Sequence, residues 1–196
     1  MPITPRLRRS IVTRLLHAAL LACVLWQLIG SNFIEAPRET SPANAMFGIH
    51  RAIGLTTLGL VLAFWLWSLW RRGETPFGAL FPWLSESRLK ALQDDLARHW
   101  AELRQLRLPA NEADTPLAST VHGLGLLAAL AMGTSGAWLY TMALPGGVVL
   151  ELHRTFANLM WAYVVGHAGL AALHQFSGHR VLQRMFGPAP SDGMAS

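Results

Sequence analysis

Apolar positions in this chain gather into four long runs, with neither the two-residue alternation of a half-buried strand nor the narrow stripe of a soluble helix. The first, Ile11 to about Gly30 (IVTRLLHAALLACVLWQLIG), contains one formal charge, Arg14. The second, residues 46–70, contains only Arg51. The third, residues 117–144, has no Asp, Glu, Lys or Arg, and the fourth, residues 148–176, has Glu151 and Arg154 near its start and none after. Each is about the 20 residues or more that a helix needs to cross about 30 Å of hydrocarbon. Lipid offers the backbone no hydrogen-bond partners, and runs this long satisfy themselves as helices rather than barrel strands. The pattern predicts an all-α, integral membrane four-helix bundle.

Composition agrees. Of 196 residues, 52% are apolar and 14% charged, against about 25% charged in a soluble domain. A single cysteine, Cys23, excludes an intrachain disulfide framework, a Cys-ligated zinc or iron–sulfur site and covalent C-x-x-C-H haem attachment. The first run is longer than a signal-peptide core and ends without a small-x-small cleavage pattern, so it is expected to stay as a span. One membrane domain is expected over residues 1–186, with a disordered tail at 187–196.

The net charge of +5 would be compatible with nucleic acid, but its distribution points elsewhere. Residues 1–14, 71–116 and the stretch after Phe176 carry thirteen Lys and Arg, whereas residues 31–45 and the Pro145–Gly147 connection carry one. By the positive-inside rule both termini and the long 71–116 loop are expected on the cytoplasmic side of the membrane. Within that loop, a helix is predicted over about 85–108. Leu89, Leu92, Leu96, Trp100, Leu103 and Leu106 share one face, Glu86–Lys90 and Asp94–Arg98 form i,i+4 pairs, and Pro109 ends it. Such a helix either lies on the membrane surface or caps the bundle, or else offers a docking face to a cytoplasmic partner.

Histidines carry the candidate chemistry, because ionisable groups inside a membrane are costly and usually functional. His17 falls in the cytoplasmic half of the first span, His50 near the outer start of the second, and His153 near the outer start of the fourth. His167 lies fourteen residues beyond His153, about 21 Å deeper and only about 40° away around the helix. Depth therefore sorts four histidines into an outer pair, His50 with His153, and an inner pair, His17 with His167. Each level offers two imidazoles from different helices and no carboxylate. That is too few ligands for a protein-only zinc site but suits the two axial positions of haem b, and so one-electron transfer. Gly48 and Gly54 flank His50, and Gly166 and Gly169 flank His167, giving room for a flat ring or for ordinary helix packing. His174 is the competitor of His167 but sits close to the interface. His122 has no depth-matched partner left and is expected either to donate to a haem propionate or a quinone, or to anchor its helix end. His99 and His179 read as surface residues. Arg14 at the inner level, and Arg51 and Arg154 at the outer level, are candidates to meet haem propionates, with snorkelling to headgroups as the alternative. Trp65, Trp67, Trp70, Trp138 and Trp161 read as interfacial belt and lipid-facing residues.

The fourth span, with its H-x-T-x-A-N-L start at His153, its fourteen-residue spacing to His167 and its continuation to His174, resembles the last span of the bacterial cytochrome b561 family. That family shares its fold with the cytochrome b subunits of nickel hydrogenases. Leu-Leu-His17 and His50-x3-Gly54 match more weakly, and Ala18 stands where an aromatic often follows the first-span histidine. The resemblance implies two haems b, held by His17 with His167 and by His50 with His153. It implies electron transfer across the bilayer between the quinone pool and a redox partner, either as a stand-alone oxidoreductase or as the haem-containing anchor of a larger complex. A His-dependent proton or metal transporter is the reading from another class, and a cofactor-free anchor a third.

Overall fold

The computed structural model describes residues 9–72, 74–105, 115–179 and 181–186. It is all-helical, with four helices long and apolar enough to cross a membrane. These are α1 (Ile11–Gly30), extended by a 3₁₀ turn to Phe33, α2 (Ala45–Trp70), α5 (Pro116–Tyr140) and α6 (Gly147–His174). The short α3 (Phe77–Leu80) and the longer α4 (Glu86–Arg104) lie between α2 and α5, and α7 (Val181–Phe186) follows α6. The expected tail at 187–196, and the Leu106–Pro109 end expected for the loop helix, lie outside the described residues.

Local chemistry sets the helix starts. Ser10, Asn44 and Thr115 stand at the N-caps of α1, α2 and α5, and each side chain accepts a backbone N–H of the first turn. Two ends differ from expectation. α5 stops at Tyr140, not Leu144, because Pro145 follows and Gly147 takes φ +65°, a turn that apolarity does not register. α6 stops at His174 and runs into a wide turn, Gln175–His179, broken at Gly178 with φ +88°.

α5 is the central element. Its buried positions are mostly small or polar, among them Ser119, Thr120, Gly123, Gly125, Ala129 and Ser135, so neighbouring backbones approach closely. At Gly123 a Cβ would run into the Leu80 carbonyl of α3. Among the described residues the tight packing runs α1 on α2, α2 on α5 and α5 on α6, without closing from α6 back to α1. A core of Val24, Leu28, Val61, Ala129, Met132 and Met160 holds the middle, and cavities lie above and below it. One end of the bundle carries the long 71–115 connection (the long-loop end) and the other carries the two short connections (the short-loop end).

Two polar clusters seal the long-loop end. Glu74, half-buried, accepts hydrogen bonds from the Ser10 amide (3.1 Å) and the Thr13 hydroxyl (2.9 Å), with Arg9 at 4.0 Å. Trp67 donates its indole N–H to Thr13 at 2.9 Å, which ties α2 to α1. Trp65 likewise stacks on Phe81, ring centres 5.2 Å apart. Burial pushes the Glu74 carboxyl up, but hydrogen bonds from Ser10 and Thr13 outweigh it and hold it below the usual range.

Asp95 forms the second cluster. It takes the Leu117 N–H (2.9 Å) and Arg98 (2.6 Å), and His99 closes over it with Nδ1 at 2.8 Å from the Asp95 carbonyl. Burial raises the Asp95 carboxyl too, and the Leu117 and Arg98 bonds more than reverse it. One expectation is corrected here. His99 is a half-buried member of this cluster, not an ordinary surface residue. Arg98 bonds Asp95, three residues before it. The polar stripe of α4 is therefore the one that meets the bundle, leaving Leu89, Leu96, Trp100 and Leu103 exposed.

Candidate functional site

Each histidine of the two expected pairs faces its partner. At the short-loop end, His50 of α2 and His153 of α6 have ring centres 6.3 Å apart and planes at 89°. At the long-loop end, His17 of α1 and His167 of α6 are 6.5 Å apart at 57°. A metal bonded to a ring nitrogen at about 2.0 Å, with that nitrogen about 1.15 Å from its ring centre, puts two trans imidazoles about 6.3 Å apart. Both ring spacings match that figure. The cavities beside them hold about 740 Å³ at the short-loop end and about 250 Å³ at the long-loop end. Among the described residues no cluster of three or more His, Cys, Asp or Glu side chains is arranged to hold a metal ion unaided.

Neighbouring helices orient the rings. His153 Nδ1 lies 3.1 Å from the Met132 carbonyl and 3.0 Å from Ser135 Oγ, and the Ser135 hydroxyl itself donates to Met132 at 2.9 Å. The carbonyl can only accept, so Nδ1 carries the proton and Nε2 presents a lone pair. Gly136 makes room for this ring, since a Cβ there would sit 3.1 Å from His153 Cε1. Of the glycines expected to admit a flat ring, Gly48, Gly166 and Gly169 border open space, whereas Gly54 faces the Gln27 carboxamide.

At the long-loop end His167 has neighbours on two sides. Tyr163, one turn earlier, stacks on it at 5.4 Å with planes 6° apart, and His122 meets it edge-on at 5.1 Å. His122 bonds the Ala118 carbonyl through Nδ1 at 2.7 Å and lines the same cavity as His17 and His167. It thus joins a level at which depth alone gave it no partner. Phe186 of α7 covers His17, ring centres 6.3 Å apart. His174 is not among the residues lining this cavity.

The arginines divide differently from expectation. Arg9 and Arg71 line the long-loop cavity, whereas Arg14, the expected residue, turns its Nε to the Met185 carbonyl. Arg51 lines the short-loop cavity with its guanidinium 4.0 Å from the centre of the Tyr140 ring. Arg154 lies at the same rim and pairs at 2.9 Å with exposed Glu151. Hydropathy and spacing missed Arg9, Arg71, Tyr163, Ser135 and Gln27, whose relevance depends on which way each points from its helix.

Paired imidazoles at two levels of a four-span bundle, in cavities bordered by cations, suit tetrapyrrole-bound iron better than a bare ion. No curated protein and no solved structure matches the chain. The family model described as prokaryotic cytochrome b561 matches residues 8–188, nearly the whole of it. The chain belongs to the prokaryotic cytochrome b561 family and is a multi-pass, haem b-containing membrane protein of electron transfer.

Proposed function

We propose that this chain is a dihaem cytochrome b that carries electrons across a bacterial inner membrane between the quinone pool and a redox partner. His50 with His153 hold one haem and His17 with His167 the other. A haem held by these histidine pairs would supply reversible one-electron transfer. The protein's residues do the rest. The Met132 carbonyl fixes the tautomer of His153, so that Nε2 is free to bind. Arg9 and Arg71 offer cations to propionates at the long-loop level, and Arg51, with Arg154 at the rim, does so at the short-loop level. Tyr163 and Phe186 keep water from the His17–His167 pair. The two levels are about 21 Å apart along α6, which suits transfer between the faces of a bilayer. The charge count supports a cytoplasmic long-loop end and cytoplasmic termini.

The observation that carries this reading is the ring spacing of 6.3 and 6.5 Å. Transport of protons or metal through the histidines lacks the broken spans that such folds use, since α1, α2, α5 and α6 are each continuous. The test is haem stoichiometry by absorption of the purified, haem-replete protein. Two low-spin haems per chain are expected, falling to one in each of His17→Ala, His50→Ala, His153→Ala and His167→Ala. A colourless protein, or a His153→Ala variant that keeps both haems, overturns it.

A further inference from the structure

One buried side chain at the short-loop end remains unexplained. Gln27 of α1 is 7% exposed and lines the cavity with His50 and His153. Its Nε2 donates to the His50 backbone carbonyl at 2.9 Å. Because a carbonyl can only accept, that bond fixes which end of the carboxamide is nitrogen, and the oxygen is left on the other side. Oε1 is buried without a hydrogen-bond partner, and so is Nδ1 of His50. Two unpaired buried groups thus belong to residues already tied together. One can only accept, and the other carries a proton whenever Nε2 is used for binding. An unmet buried group costs far more than a formed hydrogen bond gains, so buried donors and acceptors are seldom left without a partner. The backbone also keeps this place clear, since a Cβ on Gly54 would lie 2.8 Å from Gln27 Nε2.

We infer that Gln27 is the positioning residue of the short-loop site: its Oε1 accepts the Nδ1–H of His50 and holds that ring with Nε2 turned to the iron. The inference rests on the haem reading above. It gives His50 what Met132 gives His153, an acceptor from a different helix. A hydrogen bond accepted from Nδ1–H makes the imidazole a stronger electron donor, which favours the ferric state and lowers the potential of that haem.

The experiment is a redox titration of the purified holoprotein followed by absorption, with electron paramagnetic resonance of the oxidised form. Wild type, Gln27→Leu and Gln27→Glu are compared. Gln27→Leu removes the acceptor and is expected to raise the midpoint potential of one haem and move its g-values, leaving the other unchanged. Gln27→Glu keeps an acceptor oxygen and is expected to hold that potential at or below wild type. Loss of one haem from Gln27→Leu but not from Gln27→Glu supports the inference equally. Two bound haems with an unmoved potential in Gln27→Leu overturn it. So does an equal shift of both haems, or an upward shift or haem loss common to the two variants, which would leave only the tie to the His50 carbonyl. Those results leave the haem reading intact, whereas a wild type without haem overturns both.

Discussion

Gly125→Ala is the smallest change expected to reach the long-loop site. Gly125 is buried on α5 opposite Tyr163 of α6, and a Cβ placed there would lie 2.7 Å from Tyr163 Cε2 and closer still to the ring's hydroxyl end. Carbon atoms pack at about 3.5–4.0 Å, and Cζ lies nearer than Cε2, so the ring must retreat by more than about 1 Å. Such overpacking costs about 1–3 kcal/mol, while replacing a helical glycine by alanine returns about 0.5–1 kcal/mol. The net expectation is a loss of between about 0 and about 2.5 kcal/mol. On the dihaem reading proposed above, the functional effect should be the larger one, because Tyr163 stacks on His167 at 5.4 Å and its displacement should disturb one haem and not the other. Equilibrium unfolding in detergent measures the first effect, and the reduced absorption band of each haem the second. Tyr163→Leu supplies the control: with the ring gone, the same alanine should cost nothing and become slightly favourable. The reasoning fails if Gly125→Ala is as stable as wild type with both bands unmoved, or if its cost is the same in the Tyr163→Leu background.

Two further outcomes concern the polar clusters at the same end. Asp95→Ala removes the acceptor of the Leu117 N–H in the first turn of α5, where a lost cap typically costs about 1 kcal/mol, and with the Arg98 bond the total is about 2 kcal/mol. Backbone amide exchange over α4 should accelerate while that of α1 and α2 stays slow; unchanged exchange in α4 would count against the latch. Glu74 has its folded pKa held below the unfolded value, so its contribution is complete above the ordinary carboxylate pKa of about 4.3 and is lost as pH falls through the lower folded value. Glu74→Gln should therefore be less stable than wild type at neutral pH and lose less on acidification. Parallel stability–pH curves for the two proteins would refute this.

The spans were legible because length and apolarity alone dictate them. The first helix occupies Ile11–Gly30 as read from hydropathy, and the error at the end of the third arises where Pro145 and Gly147 act through backbone geometry. Direction around a helix was harder to read. Periodicity found the apolar stripe of α4 but not which stripe meets the bundle. That is decided by a carboxylate on α4 and an amide 22 residues later. Arg14 and Arg9 lie at similar depths near the start of α1. Only the packing of α7 distinguishes them, by engaging Arg14 with the Met185 carbonyl while Arg9 borders the cavity.

The same division runs through the histidines. Rise per residue is enough to place His153 and His167 at two heights on one helix, and length of span is enough to bring His50 and His17 to those heights. Which nitrogen each ring presents is another matter, because that is set by what the other nitrogen meets. For His122 the answer is local, the Ala118 carbonyl one turn back on its own helix, a bond any helical histidine can form. For His153 it is the Met132 carbonyl, on another helix and exposed to bonding at that angle only because Gly136 lets the imidazole approach. A histidine's height in the membrane is thus a property of its own span, whereas its competence as a ligand is a property of the neighbouring one. That is why a substitution such as Gly136→Ala, which replaces no candidate ligand but puts a methyl against the His153 ring, should perturb the His153 site while His167, fourteen residues along the same helix, is left alone.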